Sequence, residues 1–103
     1  MFIARFSYDL LPADREQATA LILREVESAQ ARGLTARLLI PLTRAPGGPA
    51  LQYELEIESL DMLDEFRSRG MGSDEATNHW MREFSPLLTA PPGVEILRVV
   101  KSR

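Results

Sequence analysis

The 103-residue chain has no cysteine at all. That removes disulfides, thiolate metal sites and cysteine nucleophiles together, and leaves the redox compartment open. It has one histidine, His79, so three or four His/Cys zinc ligands cannot be assembled within one chain. No GxSxG, HExxH, P-loop or GxGxxG spacing occurs. The segment Thr43–Ala50 (TRAPGGPA) contains glycines but opens no helix, so it makes a poor phosphate cradle. No apolar run approaches the roughly 20 residues needed to span a bilayer. The N-terminus, MFIARFSYDLL, reads as a first strand rather than a signal peptide. A cytoplasmic protein with no membrane partner is the expectation. With 12 basic against 15 acidic residues the net charge is −3, which exerts no overall pull on polyanions. Nucleic acid is therefore not an expected partner.

What is present suits one folded domain over residues 1–103. The composition is 45% hydrophobic and 26% charged, enough apolar material for a core and too little charge for global disorder. The clearest pattern is Leu51–Glu58, LQYELEIE. Leu51, Tyr53, Leu55 and Ile57 alternate with Gln52, Glu54, Glu56 and Glu58, the period-2 signature of a strand with one apolar and one anionic face. Phe2–Asp9 alternates in the same way, with Phe2, Ala4, Phe6 and Tyr8 in one row.

Arg15–Arg32 reads as a helix carrying Ala18, Leu21, Ile22, Val26 and Ala29 on one stripe, with Leu23 off it. Asp14 is its expected N-cap, Gln17 its capping-box partner and Gly33 its left-handed C-cap. Leu34–Leu42 reads as a second strand, and Pro41 favours an edge or an end for it. Thr43–Ala50 is a hairpin loop joining it to Leu51–Glu58. Ser59 then caps a short helix on Met62, Leu63 and Phe66 that ends at Gly70. Ser73 caps a further helical piece on Ala76, Trp80 and Phe84. Ala90–Gly93 (APPG) is a turn, and Val94–Lys101 a last strand.

The order β-α-β-β-α-β, with the second helix interrupted, is the ferredoxin-like split βαβ of the α+β class. It predicts a four-stranded antiparallel sheet, strand order 4-1-3-2, with the helices on one face. Phe2/Phe6/Tyr8, Leu38/Ile40/Leu42 and Leu51/Tyr53/Leu55/Ile57 are expected beneath the helices. Arg5, Ser7, Asp9, Arg37, Leu39, Glu54, Glu56 and Glu58 are expected on the other face, where Arg5 can pair with the glutamate row. The last strand offers either Glu95, Leu97 and Val99 or Ile96, Arg98 and Val100 to that face, and pattern alone does not choose. The open face is either a solvated, charge-compensated surface or the place where two sheets meet in a homodimer. Successive glutamates on it splay roughly 7 Å apart, so no metal site is expected there. They also repel phosphate, unlike the basic and aromatic strands of RNA-recognition modules.

Only Thr77-Asn78-His79-Trp80 has chemical variety. Trp80 lies on the Ala76/Phe84 stripe and His79 at its margin, while Tyr8 and Tyr53 come from the sheet beneath. Tyr8, Tyr53, His79 and Trp80 are thus the candidate ligand-binding residues of an aromatic pocket between sheet and helices, with His79 the best catalytic candidate. The alternative is that Trp80 and both tyrosines are core and His79 a boundary residue.

The order of elements resembles the dimeric α/β-barrel superfamily, which includes antibiotic-biosynthesis monooxygenase-like and NIPSNAP-like proteins. ELEIESLDMLDEF looks like their strand-to-helix region, and WMREFSPLL followed by VEILRVV is similar to their C-terminal pattern. The resemblance implies a homodimer whose two sheets form a barrel, and a small-molecule pocket between each sheet and its helices. Haem-degrading members use an asparagine on the first strand with a helical histidine and a tryptophan. Strand one here has no asparagine, and His79 and Trp80 are adjacent, so no catalytic role carries over and no cofactor is implied. The expected function is binding of a small aromatic or apolar molecule. The alternatives are a cofactor-independent monooxygenase with His79 as base, and a non-catalytic regulatory or interaction module.

Overall fold

A computed structural model describes residues Met1–Ser102. These form β1 (Phe2–Tyr8), α1 (Arg15–Ala31), β2 (Ala36–Leu39), β3 (Leu51–Ile57), α2 (Asp61–Arg69), α3 (Asp74–Phe84) and β4 (Gly93–Arg98). The sheet is antiparallel throughout, in the order β2-β3-β1-β4. This is the predicted ferredoxin-like order read from the other edge.

β3 lies inside the sheet because its apolar row has the most to lose in water. Leu51, Tyr53, Leu55 and Ile57 are almost completely buried, each worth about 1.5–3 kcal/mol of transfer free energy for the aliphatic side chains. β1 pairs with β3 in the register Ala4↔Leu55, Phe6↔Tyr53 and Tyr8↔Leu51, so these rows share one face. β1 also pairs with β4 as Ala4↔Ile96 and Phe6↔Val94. Directly opposed residues point the same way. The last strand therefore gives Val94, Ile96 and Arg98 to the helix side, and Glu95 and Leu97 to the open side.

β2 is an edge strand, as Pro41 favours, but it is shorter than expected. It ends at Leu39, so Ile40 is half-exposed and Leu42 is 97% exposed. The apolar alternation continues past the last residue that has a partner on β3, which is why pattern alone over-extends it. The hairpin loop is held by Arg44, whose Nη2 donates to Gly48 O (2.7 Å) and to Asp9 Oδ1 (3.0 Å).

Helix ends divide in the same way. Gly33 takes φ 79°, and Leu34 N–H reaches back to Ala29 O (3.1 Å) in the left-handed closure expected of it. Ser73 Oγ accepts from Ala76 N–H (3.1 Å), a true N-cap. Asp14 is not one: its backbone is already helical and its side chain caps nothing, because a 3-10 turn at Pro12–Asp14 winds the chain into α1 first. Ser59 likewise lies outside α2, which begins at Asp61 after Leu60. The stripe on α1 is as read, with Ala18, Leu21, Ile22, Val26 and Ala29 buried and Leu23 exposed. One further residue is buried with them: Glu25.

Candidate functional site: the cavity between sheet and helices

The helices do not reach over β4. Val94 and Ile96 remain half-exposed on the helix side of the sheet. A cavity of about 690 Å³ opens there, between β1, β4 and the three helices. Its size lies within the range of small-molecule sites. The wall is largely aromatic. Tyr8 meets Phe84 edge-on at 4.9 Å between ring centres, and Trp80 stacks on Phe84 at 4.7 Å. Phe6 and Phe66 form the floor, with ring centres 5.8 Å apart.

Most polar groups on this wall are already engaged. Trp80 Nε1–H donates to the carbonyl of Leu21 (2.7 Å), tying α3 to α1 one turn before Glu25. Thr77 Oγ1 donates to Ser73 O (2.7 Å) and accepts from Met71 N–H (3.1 Å). Two groups differ. The Tyr8 hydroxyl and the Glu25 carboxyl line the cavity without a hydrogen bond or ion pair among the described residues. Burial pushes the Glu25 carboxyl up to about 8, against a smaller lowering by the nearby Arg32 charge. Burial also raises the Tyr8 phenol well above its ordinary value, with the neighbouring Glu25 and Tyr53 adding to it. At neutral pH Glu25 is therefore a neutral acid facing an apolar chamber.

The structure brings Tyr8 and Trp80 together on one wall. Tyr53 lies behind it, fully buried, stacked on Phe66 at 5.8 Å, and its hydroxyl has no hydrogen-bond partner. Its phenol is raised too, first by burial and then by Glu25. His79 lies elsewhere. It is 68% exposed on the outer side of α3, with Nε2 2.9 Å from Glu83 Oε1 one turn on. Neighbouring helical residues point about 100° apart, so His79 and Trp80 cannot both face the same wall. Glu25, which the sequence reading passed over, is the polar group the fold delivers instead. Its signal was there: position 25 follows Ile22 by three and Leu21 by four, squarely on the apolar stripe.

The open face of the sheet is arranged around a different carboxylate. Arg37, Glu54, Arg5 and Glu95 stand opposite one another on β2, β3, β1 and β4. Glu54 Oε2 accepts from Arg5 Nε (2.6 Å), and Oε1 accepts from Arg37 Nε (2.9 Å) and Nη2 (2.6 Å). The two guanidiniums cover Glu54 so fully that it is 3% exposed, though the face itself is open. Desolvation alone would push its carboxyl up. The hydrogen bonds and charges of Arg37 and Arg5 outweigh this and hold it below the ordinary glutamate value. Among the described residues no three His, Asp or Glu side chains converge to hold a metal ion, and no helix is long and apolar enough to cross a membrane.

No family model matches the chain, and no curated protein matches it. Solved structures do. A crystal structure described as an antibiotic biosynthesis monooxygenase superposes with a TM-score of 0.76 at 13% identity, over 98% of this chain and 100% of that one. An uncharacterized NIPSNAP domain protein from Burkholderia xenovorans gives 0.74 at 10% identity, over 97% and 95%. A dimeric ferredoxin-like protein of unknown function from Thermobifida fusca gives 0.69 at 11% identity, over 95% and 90%. At such identities the likeness speaks for the fold. The chain has the ferredoxin-like fold seen in these antibiotic biosynthesis monooxygenase and NIPSNAP domain structures.

Proposed function

We propose that this protein binds a small aromatic or apolar molecule in the cavity between sheet and helices. The observation that carries the reading is an aromatic chamber whose wall holds a buried carboxyl, Glu25, with no partner among the described residues. A carboxyl placed this way is costly to the folded state, and a ligand that hydrogen-bonds it offsets that cost. Tyr8 and Trp80 are the aromatic contacts, and Glu25 with the Tyr8 hydroxyl the polar ones. Trp80 is the only tryptophan, so its fluorescence reports on the wall directly. Titration with the neutral apolar dye N-phenyl-1-naphthylamine should quench Trp80 saturably, with energy transfer to the dye. Unchanged Trp80 emission would remove the cavity as a binding site.

The working form in this reading is a homodimer that joins open face to open face. Half-buried Ile3, Leu39 and Leu97 flank the charged row on that face, and a protein of the same fold is described as dimeric. The acidic positions on β3 make nucleic acid a poor occupant. Light scattering coupled to size exclusion tests the assembly, and a monomer at micromolar concentration would exclude it.

A second reading, favoured by the position of Glu25, is a cofactor-independent monooxygenase. A base that titrates near neutrality inside an apolar chamber suits removal of a proton from a bound aromatic hydroxyl, with dioxygen as the oxidant. One protein of this fold is described as an antibiotic biosynthesis monooxygenase. Glu25→Gln should then abolish oxygen uptake with an activated phenol while dye binding persists. Equal oxygen uptake by both proteins would exclude this reading and leave binding intact.

A further inference from the structure

We propose that the molecule bound in this cavity carries a protonated amine, and that Glu25 is its counter-ion, with the faces of Tyr8 and Trp80 packed around the cationic end. The inference rests on the cavity reading above and names the ligand's head group. Three observations lead to it. Glu25 is 7% exposed, lines the cavity and has neither hydrogen bond nor ion pair among the described residues. A carboxylate is acceptor-only and a carboxylic acid has one donor, so an unfilled site of this kind asks for donors. An ammonium group brings three, together with the charge that a buried carboxylate lacks.

The second observation is the wall. The Nε1–H of Trp80 and the hydroxyl of Thr77 are both spent on backbone carbonyls. What they leave towards the cavity is aromatic surface from Tyr8, Trp80 and Phe84. The negative faces of such rings attract a cation. The other donor side chains of the lining, Arg67, Ser85 and Thr89, are exposed, so beside Glu25 itself an anionic or strongly accepting head group would find the Tyr8 hydroxyl.

The third is the charge around Glu25 on every element packed against it. β1 presents Tyr8 and β3 presents Tyr53, both phenols held neutral by burial. α3 presents Thr77, which carries no charge. On α2, Arg67 lines the cavity but is exposed and makes no ion pair among the described residues. Arg32, just after α1, donates from Nη2 to Gly70 O (3.2 Å) and from Nε to Ser28 O (3.5 Å); its charge lowers the Glu25 carboxyl, by less than burial raises it. Among the described residues no cation is paired with Glu25. Because burial keeps the carboxyl protonated at neutral pH, seating an ammonium on it must expel that proton, while the amine keeps its own.

Calorimetry with tryptamine, its neutral counterpart tryptophol and the anion indole-3-acetate varies the head group on one ring system. Tryptamine should bind about tenfold or more tighter than tryptophol, the ratio expected of one charge-assisted contact. At pH 7 its binding heat should depend on the buffer's ionisation enthalpy, showing release of nearly a full proton; above about pH 9 the release should vanish as Glu25 is already ionised. Glu25→Gln should bring tryptamine down to the affinity of tryptophol and end the proton release. The proton count on the unaltered protein tests the same point if that variant fails to fold. Tryptophol binding as tightly as tryptamine, or tryptamine binding without proton release, would overturn the amine assignment and leave the cavity standing. If none of the three bound and the dye left Trp80 unquenched, the cavity reading itself would fall.

Discussion

Two glutamates on opposite sides of one sheet are nearly equal in burial and opposite in treatment. Glu54, 3% exposed, receives three hydrogen bonds from two arginines. Glu25, 7% exposed, receives none from the described residues. The first is held ionised and the second is pushed towards the neutral acid. Burial alone thus predicts neither charge state nor role. What decides is whether the fold supplies donors, and here it supplies them on the face that builds the scaffold and withholds them on the face that encloses the cavity. A satisfied carboxylate is structural. An unsatisfied one at a cavity wall is a site waiting for something.

That contrast can be broken at either end. The largest effect is expected from Glu25 at high pH. Its folded-state value lies above the ordinary one, so between about 4.5 and 8 the folded chain holds a proton that the unfolded chain has released. The Glu25 contribution to stability is therefore greatest below that window, falls as pH rises through it and levels off above. Glu25→Gln should flatten this profile, matching the parent near pH 5 and exceeding it at pH 9 by on the order of a few kcal/mol in urea unfolding. A parent profile that is flat from pH 5 to 9 would contradict the assignment.

Glu54 runs with the other sign. Its lowered value means stability present above the unfolded glutamate value and lost as pH falls through the folded one, so it belongs to the acid limb. Glu54→Ala leaves Arg5 and Arg37 adjacent and unpaired. Since both guanidiniums are a third or more exposed, the loss at pH 7 should be about 2 kcal/mol rather than that of a fully buried pair. Raising salt should shrink it, because the liberated charges lie on an open face. Loss of stability equal at pH 7 and pH 3 would show that the ion pairs are not its source.

Two smaller changes sharpen the picture. Tyr53→Phe removes a buried hydroxyl that bonds to nothing, and should be neutral or stabilising by about 1 kcal/mol. A clear loss in thermal unfolding would mean the hydroxyl is engaged. His79→Ala should change stability by no more than about 0.5 kcal/mol and leave dye binding alone, as its one ion-pair partner among the described residues is Glu83, on the outer side of α3. Weakened dye binding would bring His79 back to the cavity.

Much of this architecture is legible in the residues. Period-2 alternation fixes β1 and β3 because each faces two different environments. Gly33 and Ser73 mark helix ends by a backbone conformation and a side-chain acceptor that those residues favour. Asp14 and Ser59 show where the same rule fails, since a cap is a geometry and a preceding turn can pre-empt it. Ile40 and Leu42 fail differently: alternation says which face a residue would take, not whether a neighbour is there to cover it. The cavity was half legible. Tyr8 and Trp80 follow from their rows, whereas His79 stands out by residue type alone and its place one step off Trp80 turns it to the outer side of α3. Glu25 is hidden by its type, since glutamates usually face solvent, although its position on the α1 stripe puts it inside. That Arg5 would find a glutamate on the neighbouring strand was foreseeable; that Arg37 and Arg5 share one carboxylate needed the register.

The row Arg37–Glu54–Arg5–Glu95 has a consequence for the chain before it is folded. A strand that slips by one residue turns its whole row over and drives a guanidinium or carboxylate under the helices. A slip by two keeps the faces but offers Gln52 or Glu56 in place of Glu54. Glu56 can replace it beside both Arg5 and Arg37 only if β1 and β2 shift by the same amount against β3. Because Glu54 answers to a partner on each side, it makes three strands agree on one alignment at once. The carboxylate is thus a proofreader of strand pairing, acting while the sheet is still being assembled.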